Sequence, residues 1–191
     1  MKKYLLLLTF SLSAISCVYI PQDVAISPKI NISASDIGKN SNLKVATFDK
    51  RENSYVIGRR GNGIAEIAAI NNNQNLALIL KDELTNGFEK KGFSIAKDRG
   101  LILEVSILSL KYKSLFGFFT IGSEVNTSLE AVVKNQNDQV RYKEIYRGHI
   151  ENRHFLAAPL AETNAKNINI SFQKAIEFLL NDEKLLKALK N

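Results

Sequence analysis

Apolar and polar residues alternate along several segments of the chain, and this alternation predicts strands. Residues 43–48 form the first such segment, and residues 123–134 form the most regular one. A longer segment begins at Leu101 and changes the parity of its apolar residues near Ile107, which predicts a bulge there. Residues 140–150 follow a turn of polar residues and predict the return strand of a hairpin.

Two other segments carry apolar residues at helical spacing. In the first, Leu76, Leu80 and Leu84 share one face, and basic residues and a glycine close the helix after Phe88. Residues 64–70, which are rich in alanine, fit a short strand or an early helical turn equally well. The closing helix of the chain presents an apolar stripe of Ile168, Phe172, Ala175, Ile176 and Leu179.

The order of these elements predicts the fold class. One strand, one helix, a meander of three strands and a closing helix follow each other in the order β-α-β-β-β-α. Runs of neighbouring strands flanked by helices are typical of α+β domains. We therefore expect an antiparallel sheet with two helices packed on one face, after a signal peptide and a tether.

The N-terminal residues have the composition of a lipoprotein signal. Two lysines form a basic start, an apolar stretch covers residues 4–15, and the small residue Ser16 precedes Cys17, the only cysteine of the chain. The apolar stretch is too short to span a bilayer, which takes about 20 residues. We expect residues 1–16 to be a removed signal peptide and Cys17 to carry lipid. The alternative is an ordinary secreted protein with one incidental thiol.

Composition divides the remaining chain into a tether and one domain. Residues 17–42 are rich in serine, asparagine, proline and isolated apolar residues, so we expect a lipidated cysteine followed by a tether. Val24, Ile26 and Ile32 share one parity, so part of this segment fits an edge strand equally well. Residues 43–191 have the length of a single α+β domain.

The charge and the polar residues exclude several function classes. Removal of residues 1–16, which hold two lysines and no acidic residue, would lower the formal net charge from +7 to +5. Nucleic-acid binders carry denser charge on one face, so we expect no nucleic-acid partner. His149 and His154 lack a cysteine or a close acidic cluster to complete a metal site, and we expect no cofactor. The chain has no Gly-x-Ser-x-Gly turn, so we expect no catalytic residues.

Several of these features together resemble the YajG-like family of uncharacterised bacterial lipoproteins. They are Cys17, the Ile-Ser-Pro-Lys-Ile segment at 26–30, the Asp-Lys-Arg turn at 49–51, the leucine helix that closes with Lys-Gly-Phe at 91–93, and the asparagine-containing start of the last helix. The chain departs from this family in a more apolar hairpin tip and in a loop of arginines and glycines. The resemblance implies an envelope lipoprotein and offers no catalytic residues.

The loop of arginines and glycines, residues 58–63, has the position of a phosphate-binding loop between a strand and a helix. It lacks the Gly-Lys-Ser ending that contacts a nucleotide, so a flexible surface loop is the favoured interpretation. If the loop binds an anion, the candidates are Arg51, Arg59 and Arg60, because guanidinium groups hold phosphate or carboxylate through forked hydrogen bonds.

An apolar segment, residues 115–122, falls at the predicted tip of a hairpin, where polar residues are usual. If they are exposed there, Phe116, Phe118 and Phe119 are candidates for contact with a membrane or a partner protein. The alternative, with equal weight, is that the loop folds back over the core.

These observations predict a non-enzymatic lipoprotein on the periplasmic face of the outer membrane. Its membrane contact would be the lipid anchor at Cys17, and its other partner would be an unidentified envelope protein or the cell wall. Val18 follows the cysteine, where an aspartate would argue for retention at the inner membrane. The alternative function is a protein that binds or hydrolyses peptidoglycan, supported by the compartment and the basic loop.

Overall fold

The fold is a single sheet with helices packed against it. The computed structural model describes residues 20–61, 66–96, 100–155 and 160–190, and both Cys17 and the predicted signal peptide, residues 1–16, lie outside these ranges. Among the described residues, the sheet has eight strands: β1 (Gln22–Asp23), β2 (Asn42–Asp49), β3 (Val56–Gly61), β4 (Glu66–Asn71), β5 (Ser94–Ile95), β6 (Leu101–Phe116), β7 (Thr120–Lys134) and β8 (Val140–Phe155). The helices in the same ranges are α1 (Leu76–Lys90), α2 (Ala161–Asn181) and α3 (Glu183–Ala188).

The predicted α+β class is confirmed, but the prediction of an antiparallel sheet is wrong, because the sheet is mixed. β6, β7 and β8 form an antiparallel meander. β2 instead runs parallel to the first half of β6, with Leu43 opposite Leu101 and Asp49 opposite Ile107. The chain passes through α1 between these two strands. A connection through a helix returns the chain to the end of the sheet at which β2 began, so β6 runs in the same direction as β2.

The predicted order β-α-β-β-β-α is incomplete, because two more strands lie between β2 and α1. β3 and β4 form an antiparallel hairpin, and β3 runs parallel to the second half of β6, where Gly58 lies opposite Tyr112. The alanine-rich segment that fitted a strand or a helical turn, residues 64–70, contains all of β4 except its last residue, Asn71. Arg59 and Arg60 consequently lie in a strand, β3, and not in the predicted surface loop.

β6 is the central strand of the sheet. One of its edges pairs with β7 along the length of the strand, and its other edge pairs first with β2 and then with β3. On that edge β2 pairs with β6 as far as Ile107, and β3 pairs with it at Tyr112. The register of β6 against β7 shifts between Ile107 and Ser109, which confirms the predicted bulge. The bulge therefore marks the point where the sheet forks between β2 and β3.

The helices bury their apolar faces against one core. α1 follows Asn75, whose side-chain oxygen accepts a hydrogen bond from the backbone N–H of Leu78 and caps the helix. Leu80 and Phe88 of this helix are fully buried. α2 buries the predicted apolar stripe over β7 and β8, and the two long helices also contact each other. The core thus lies between the sheet and the two helices.

The segment for which a tether or an edge strand was predicted lies against both long helices. β1 pairs parallel with β4, and beyond it residues 24–32 bury alternate side chains. The backbone N–H of Ile26 donates to the Gln74 side chain just before α1, at 2.5 Å. The backbone N–H of Asn31 donates to the Glu177 carboxylate of α2, at 2.9 Å. These hydrogen bonds attach the segment to the domain.

Candidate functional site

Four exposed phenylalanines lie at one end of the sheet. β6 ends at Phe116 and β7 begins at Thr120, so Phe118 and Phe119 lie in the turn between them. Phe118 is 93% exposed and Phe119 is 55% exposed. Phe155, the last residue of β8, is also exposed, and its ring centroid lies 6.2 Å from that of Phe119. We call Phe116, Phe118, Phe119 and Phe155 the aromatic tip.

The turn that carries the aromatic tip is closed by few contacts of its own. The backbone N–H of Gly117 donates to the Thr120 carbonyl oxygen at 2.8 Å. The rings of Phe118 and Phe119 meet edge to face, with their centroids 4.5 Å apart. Residues 114–122 include no charged residue. The rings therefore pack on each other at the surface and do not fold back into the core.

Phe155 is the member of the aromatic tip that sequence reasoning missed. The predicted strand ended at Ile150, because the four residues before Phe155 are all polar and the alternation stops. In the structure, β8 continues until Phe155 lies opposite Thr120 of β7. A hairpin strand of 15 residues, as β7 is, predicts a partner of similar length, but the strand predicted from the sequence covered only residues 123–134 and gave no such signal.

Arg51 is held by the turn that follows β2. Its Nε and Nη2 atoms donate to the two carboxylate oxygens of Asp49 at 2.8 and 2.6 Å, and Nη2 also donates to the Ser54 carbonyl oxygen at 2.7 Å. The Arg51 side chain is only 4% exposed. The Asp49 carboxylate offsets its charge and occupies its fork, so in this arrangement Arg51 fixes the loop between β2 and β3.

Arg59 and Arg60 are neighbours in β3, so their side chains point to opposite faces of the sheet. Arg59 is exposed and lines a groove of about 530 Å³ at the fork of the sheet, together with Arg51 and two lysines. Arg60 instead donates from Nη2 to the carbonyl oxygen of Ile20. The structure thus brings Arg51 and Arg59 to one groove and places Arg60 outside it.

The two histidines lie on opposite faces of β8. Nδ1 of His149 shares a hydrogen bond of 2.9 Å with Asn126 Oδ1, and the Glu124 carboxylate lies 3.9 Å from the same ring nitrogen. His154 is exposed further along the strand. Within the described ranges, no three His, Cys, Asp or Glu side chains come close enough to hold a metal ion.

A row of buried polar side chains along α2 was not predicted from the sequence. Asn164, Asn167 and Ser171 are at most 2% exposed and lie three or four residues apart on the helix. The Tyr112 hydroxyl donates to Asn164 Oδ1 at 3.1 Å, and Asn167 Nδ2 donates to Ser123 Oγ at 3.0 Å. The available signal was polar residues at helical spacing beside the apolar stripe. The row fixes the register of α2 on the sheet.

Ser171 lies where α2 approaches the sheet closely. Its hydroxyl shares a hydrogen bond of 2.8 Å with Thr127 Oγ1 and lies 3.0 Å from the Gly148 carbonyl oxygen. A β-carbon on Gly148 would lie 1.8 Å from the Ser171 carbonyl oxygen, which leaves room for glycine alone. These contacts satisfy the buried hydroxyl and bind the helix to β7 and β8.

Two tyrosines share one carboxylate at the other end of β8. The hydroxyls of Tyr142 and Tyr146 each donate to Asp182 Oδ2 at 2.6 Å. Burial, with the hydrogen bond to Asp182, raises the pKa of Tyr146 well above its usual value. Burial alone would raise the pKa of Asp182, but the two hydroxyls and the backbone N–H groups that it accepts from outweigh burial and lower this pKa. Asp182 also caps α3, so the cluster joins that helix to β8.

Comparison with protein families decides the class of the chain. A family model described as uncharacterized lipoprotein matches residues 28–190. The chain belongs to this lipoprotein family. The match confirms the resemblance to the YajG-like lipoproteins. No curated protein sequence is significantly similar to the chain. In the part of the lipoprotein that the structure describes, no helix is long and apolar enough to cross a membrane.

Solved structures of low sequence identity are similar to this lipoprotein. One is the crystal structure of a Xanthomonas campestris protein of the DUF330 family, with a TM-score of 0.58 and 13% identity over 88% of this chain and 95% of that chain. Another is a minor lipoprotein of Acinetobacter baumannii, with a TM-score of 0.47 and 9% identity over 78% of this chain and 90% of that chain. The similarity to the Xanthomonas protein shows a common fold.

Proposed function

We propose that this lipoprotein is anchored to the outer membrane by acyl chains on Cys17, faces the periplasm and acts without catalysis by binding another component of the cell envelope. The observation that carries the proposal is membership of a lipoprotein family, together with a signal-like N terminus that ends at the only cysteine. Each acyl chain contributes about 0.8 kcal/mol per buried methylene, so a lipidated Cys17 would hold the protein on the membrane.

The polar clusters of the described residues serve the fold, and the surfaces that remain are suited to binding. Arg51, Asn164 and Tyr146 each make hydrogen bonds that join parts of the fold. A catalytic site instead presents an acid, a base or a nucleophile to a substrate in a cleft. The aromatic tip and the basic groove at the fork of the sheet are surfaces of the kind that bind another molecule.

Metabolic labelling with an alkynyl fatty acid tests the anchor. We expect the wild type to incorporate label and to fractionate with the outer membrane. Cys17→Ala should lose both properties, because it removes the thiol that would be acylated. Ser11→Ala changes the predicted signal peptide away from the lipid-attachment site and should behave as the wild type does. Equally negligible label in the wild type and Cys17→Ala would refute the anchor, whereas label in the inner membrane would refute only the outer-membrane placement.

The groove at the fork of the sheet favours a second candidate function, which is binding to the acidic cell wall. Lys50, Arg59 and Lys111 line the groove and are exposed, with Glu52 as an acidic neighbour. A positively charged groove attracts acidic polymers over a distance set by the ionic strength. This candidate explains Lys50, Arg59 and Lys111, for which the described part of the chain shows no ion pair with the adjacent Glu52.

Pull-down with purified cell-wall sacculi tests the second candidate. The double variant Arg59→Ala, Lys111→Ala should be retained less than the wild type at low salt. Lys29→Ala with Lys81→Ala removes the same charge from exposed sites elsewhere and is the matched control. Equal retention of the two double variants would show that total charge, and not the groove, causes any binding.

A further inference from the structure

The aromatic tip leaves a large apolar area in water. Phe118 is 93% exposed and Phe155 is 72% exposed, although burial of such side chains is worth about 25 cal/mol per Å². Leu160, at the start of α2, and Ile20, the first described residue, are also exposed. An exposed apolar cluster of this kind is expected to be covered by another molecule.

Strand pairing places Ile20 at the end of the sheet that carries the aromatic tip. The carbonyl oxygen of Ile20 accepts a hydrogen bond from Arg60 of β3. The preceding residue, Arg59, lies opposite Lys113 of β6. Because β3 and β6 are parallel, Arg60 lies one residue closer to the tip and about 7 Å short of Phe116 along β6. Ile20 is therefore close to the level at which the hairpin turns.

The N-terminal end of β1 lies at the end of the sheet that carries the aromatic tip. β1 is parallel to β4, β4 is antiparallel to β3, and β3 is parallel to β6, so β1 and β6 run in opposite directions. The N-terminal end of β1 therefore points the same way as the C-terminal end of β6. Cys17 precedes Ile20 by three residues and must lie within about 11 Å of it. Acyl chains on Cys17 would therefore hold this end of the sheet near the membrane.

The turn of the aromatic tip has no charged residue of its own to carry into a lipid interface. Residues 114–122 hold no charged side chain. Lys113, Glu124 and Glu151 of the adjoining strands lie behind the turn. Arg153, paired with Glu151 at 2.8 Å, extends to Gly117 in the turn, and His154 directly precedes Phe155. Apolar and aromatic rings in front of charged residues are the arrangement of segments that lie at the boundary of headgroups and acyl chains.

We propose that the aromatic tip docks into the lipid interface of the membrane that holds the acyl anchor. This inference rests on the proposed acylation of Cys17 and adds an orientation, with the tip toward the bilayer and the cluster of Tyr142, Tyr146 and Asp182 away from it. A bilayer is the occupant that fits, because one lipid surface covers both the acyl chains and the rings. The second contact fixes the tilt of the domain, which a single covalent anchor leaves free.

Tryptophan fluorescence tests the docking, because the chain contains no tryptophan. Phe119→Trp reports from the aromatic tip, and Phe178→Trp reports from the exposed face of α2; the two native side chains are 55% and 59% exposed. The full lipidated proteins are reconstituted in phosphatidylethanolamine and phosphatidylglycerol vesicles with and without brominated acyl chains. Because interfacial segments reach bromine-bearing depths of about 5–10 Å, we expect at least about threefold more quenching at position 119 than at position 178.

Flotation of the vesicles separates the docking from the anchor. Protein that floats with vesicles but shows equally weak quenching at both positions overturns the docking and leaves the anchor intact. Protein that does not float refutes acylation of Cys17, and the docking inference fails with it. A blue-shifted emission of Phe119→Trp that rises with protein concentration and ignores the vesicles would assign the tip to a second copy of the chain and would also overturn the inference.

Discussion

The two turns of the meander close β7 at its opposite ends and are built in opposite ways. In the turn between β7 and β8, Asn135 Oδ1 accepts hydrogen bonds from the backbone N–H groups of Asn137 and Gln139, at 2.9 and 3.0 Å. Asp138 in that turn has a φ of 59°, a left-handed conformation that Asp tolerates. The turn between β6 and β7 has one backbone hydrogen bond, from Gly117, and exposed rings. The side chains of the polar turn stabilise the fold, whereas the exposed rings of the aromatic turn do not, and binding to another molecule would explain them.

A phenylalanine in the core provides the reference for this comparison. Phe172 of α2 is fully buried. We expect Phe172→Ala to lower the free energy of unfolding by about 3–5 kcal/mol, because it removes buried apolar area and leaves a cavity. Urea denaturation of the purified protein measures this loss. A loss below about 1 kcal/mol would show that the packing of α2 differs from the structure.

The cluster at the end remote from the aromatic tip should make stability depend on pH. The folded-state pKa of Asp182 is lowered, so its contribution is complete above the unfolded-state pKa of about 3.9 and is lost as the pH falls through the lower folded-state value. Asp182→Asn keeps a capping side chain and removes the charge. At pH 7 we expect it to lower the free energy of unfolding by about 1–2 kcal/mol, the range of a hydrogen bond to a charged group with partial exposure.

Urea denaturation over a series of pH values checks this expectation. The difference between the wild type and Asp182→Asn should shrink as the pH falls below about 3.9. Glu183→Gln removes the neighbouring acidic group, which is 83% exposed in its side chain, and should show little difference at any pH. A constant difference between the wild type and Asp182→Asn would mean that the carboxylate charge is not what the tyrosines stabilise.

Sequence reasoning succeeded for elements whose own residues carry a periodic signal. The parity change at Ile107 predicted the bulge in β6, and the stripe from Ile168 to Leu179 predicted α2. It failed for the direction of β2 against β6, because the connection and not the strand decides that direction. It was ambiguous for residues 64–70, because alanines favour neither period. Local pattern therefore predicted elements better than it predicted their pairing.

In the candidate site, too, local features were predicted from the sequence and features that depend on strand pairing were not. The place of Phe118 in a turn followed from the strands around it, but its exposure did not, because a loop that folds back over the core fits the sequence equally well. Phe155 did not, because its place in the aromatic tip depends on pairing across β7 and β8. The hydrogen bond from Arg60 to Ile20 joins residues distant in sequence, and no local pattern indicates it. The sequence alone therefore said least about contacts between residues that are far apart along the chain.

The polar turn should respond to a substitution with a modest loss. Asn135→Ala removes the side-chain oxygen that accepts from the backbone N–H groups of Asn137 and Gln139. We expect the free energy of unfolding to fall by about 1 kcal/mol, since the two N–H groups remain accessible to water. Gln136→Ala in the same exposed turn is the control and should change little. Equal effects of the two substitutions would contradict the role of Asn135.

The smallest effect on stability is expected at the aromatic tip. Phe118 is 93% exposed, so Phe118→Ser leaves no cavity and should change the free energy of unfolding by less than about 0.5 kcal/mol. The same substitution in the Phe119→Trp protein should reduce quenching by brominated lipids, because it removes apolar area from the docking surface and the ring that packs against position 119. A loss of several kcal/mol would place Phe118 in the core and would remove the difference between the two turns. Unchanged stability with unchanged quenching would keep the ring exposed but deny it a part in membrane contact.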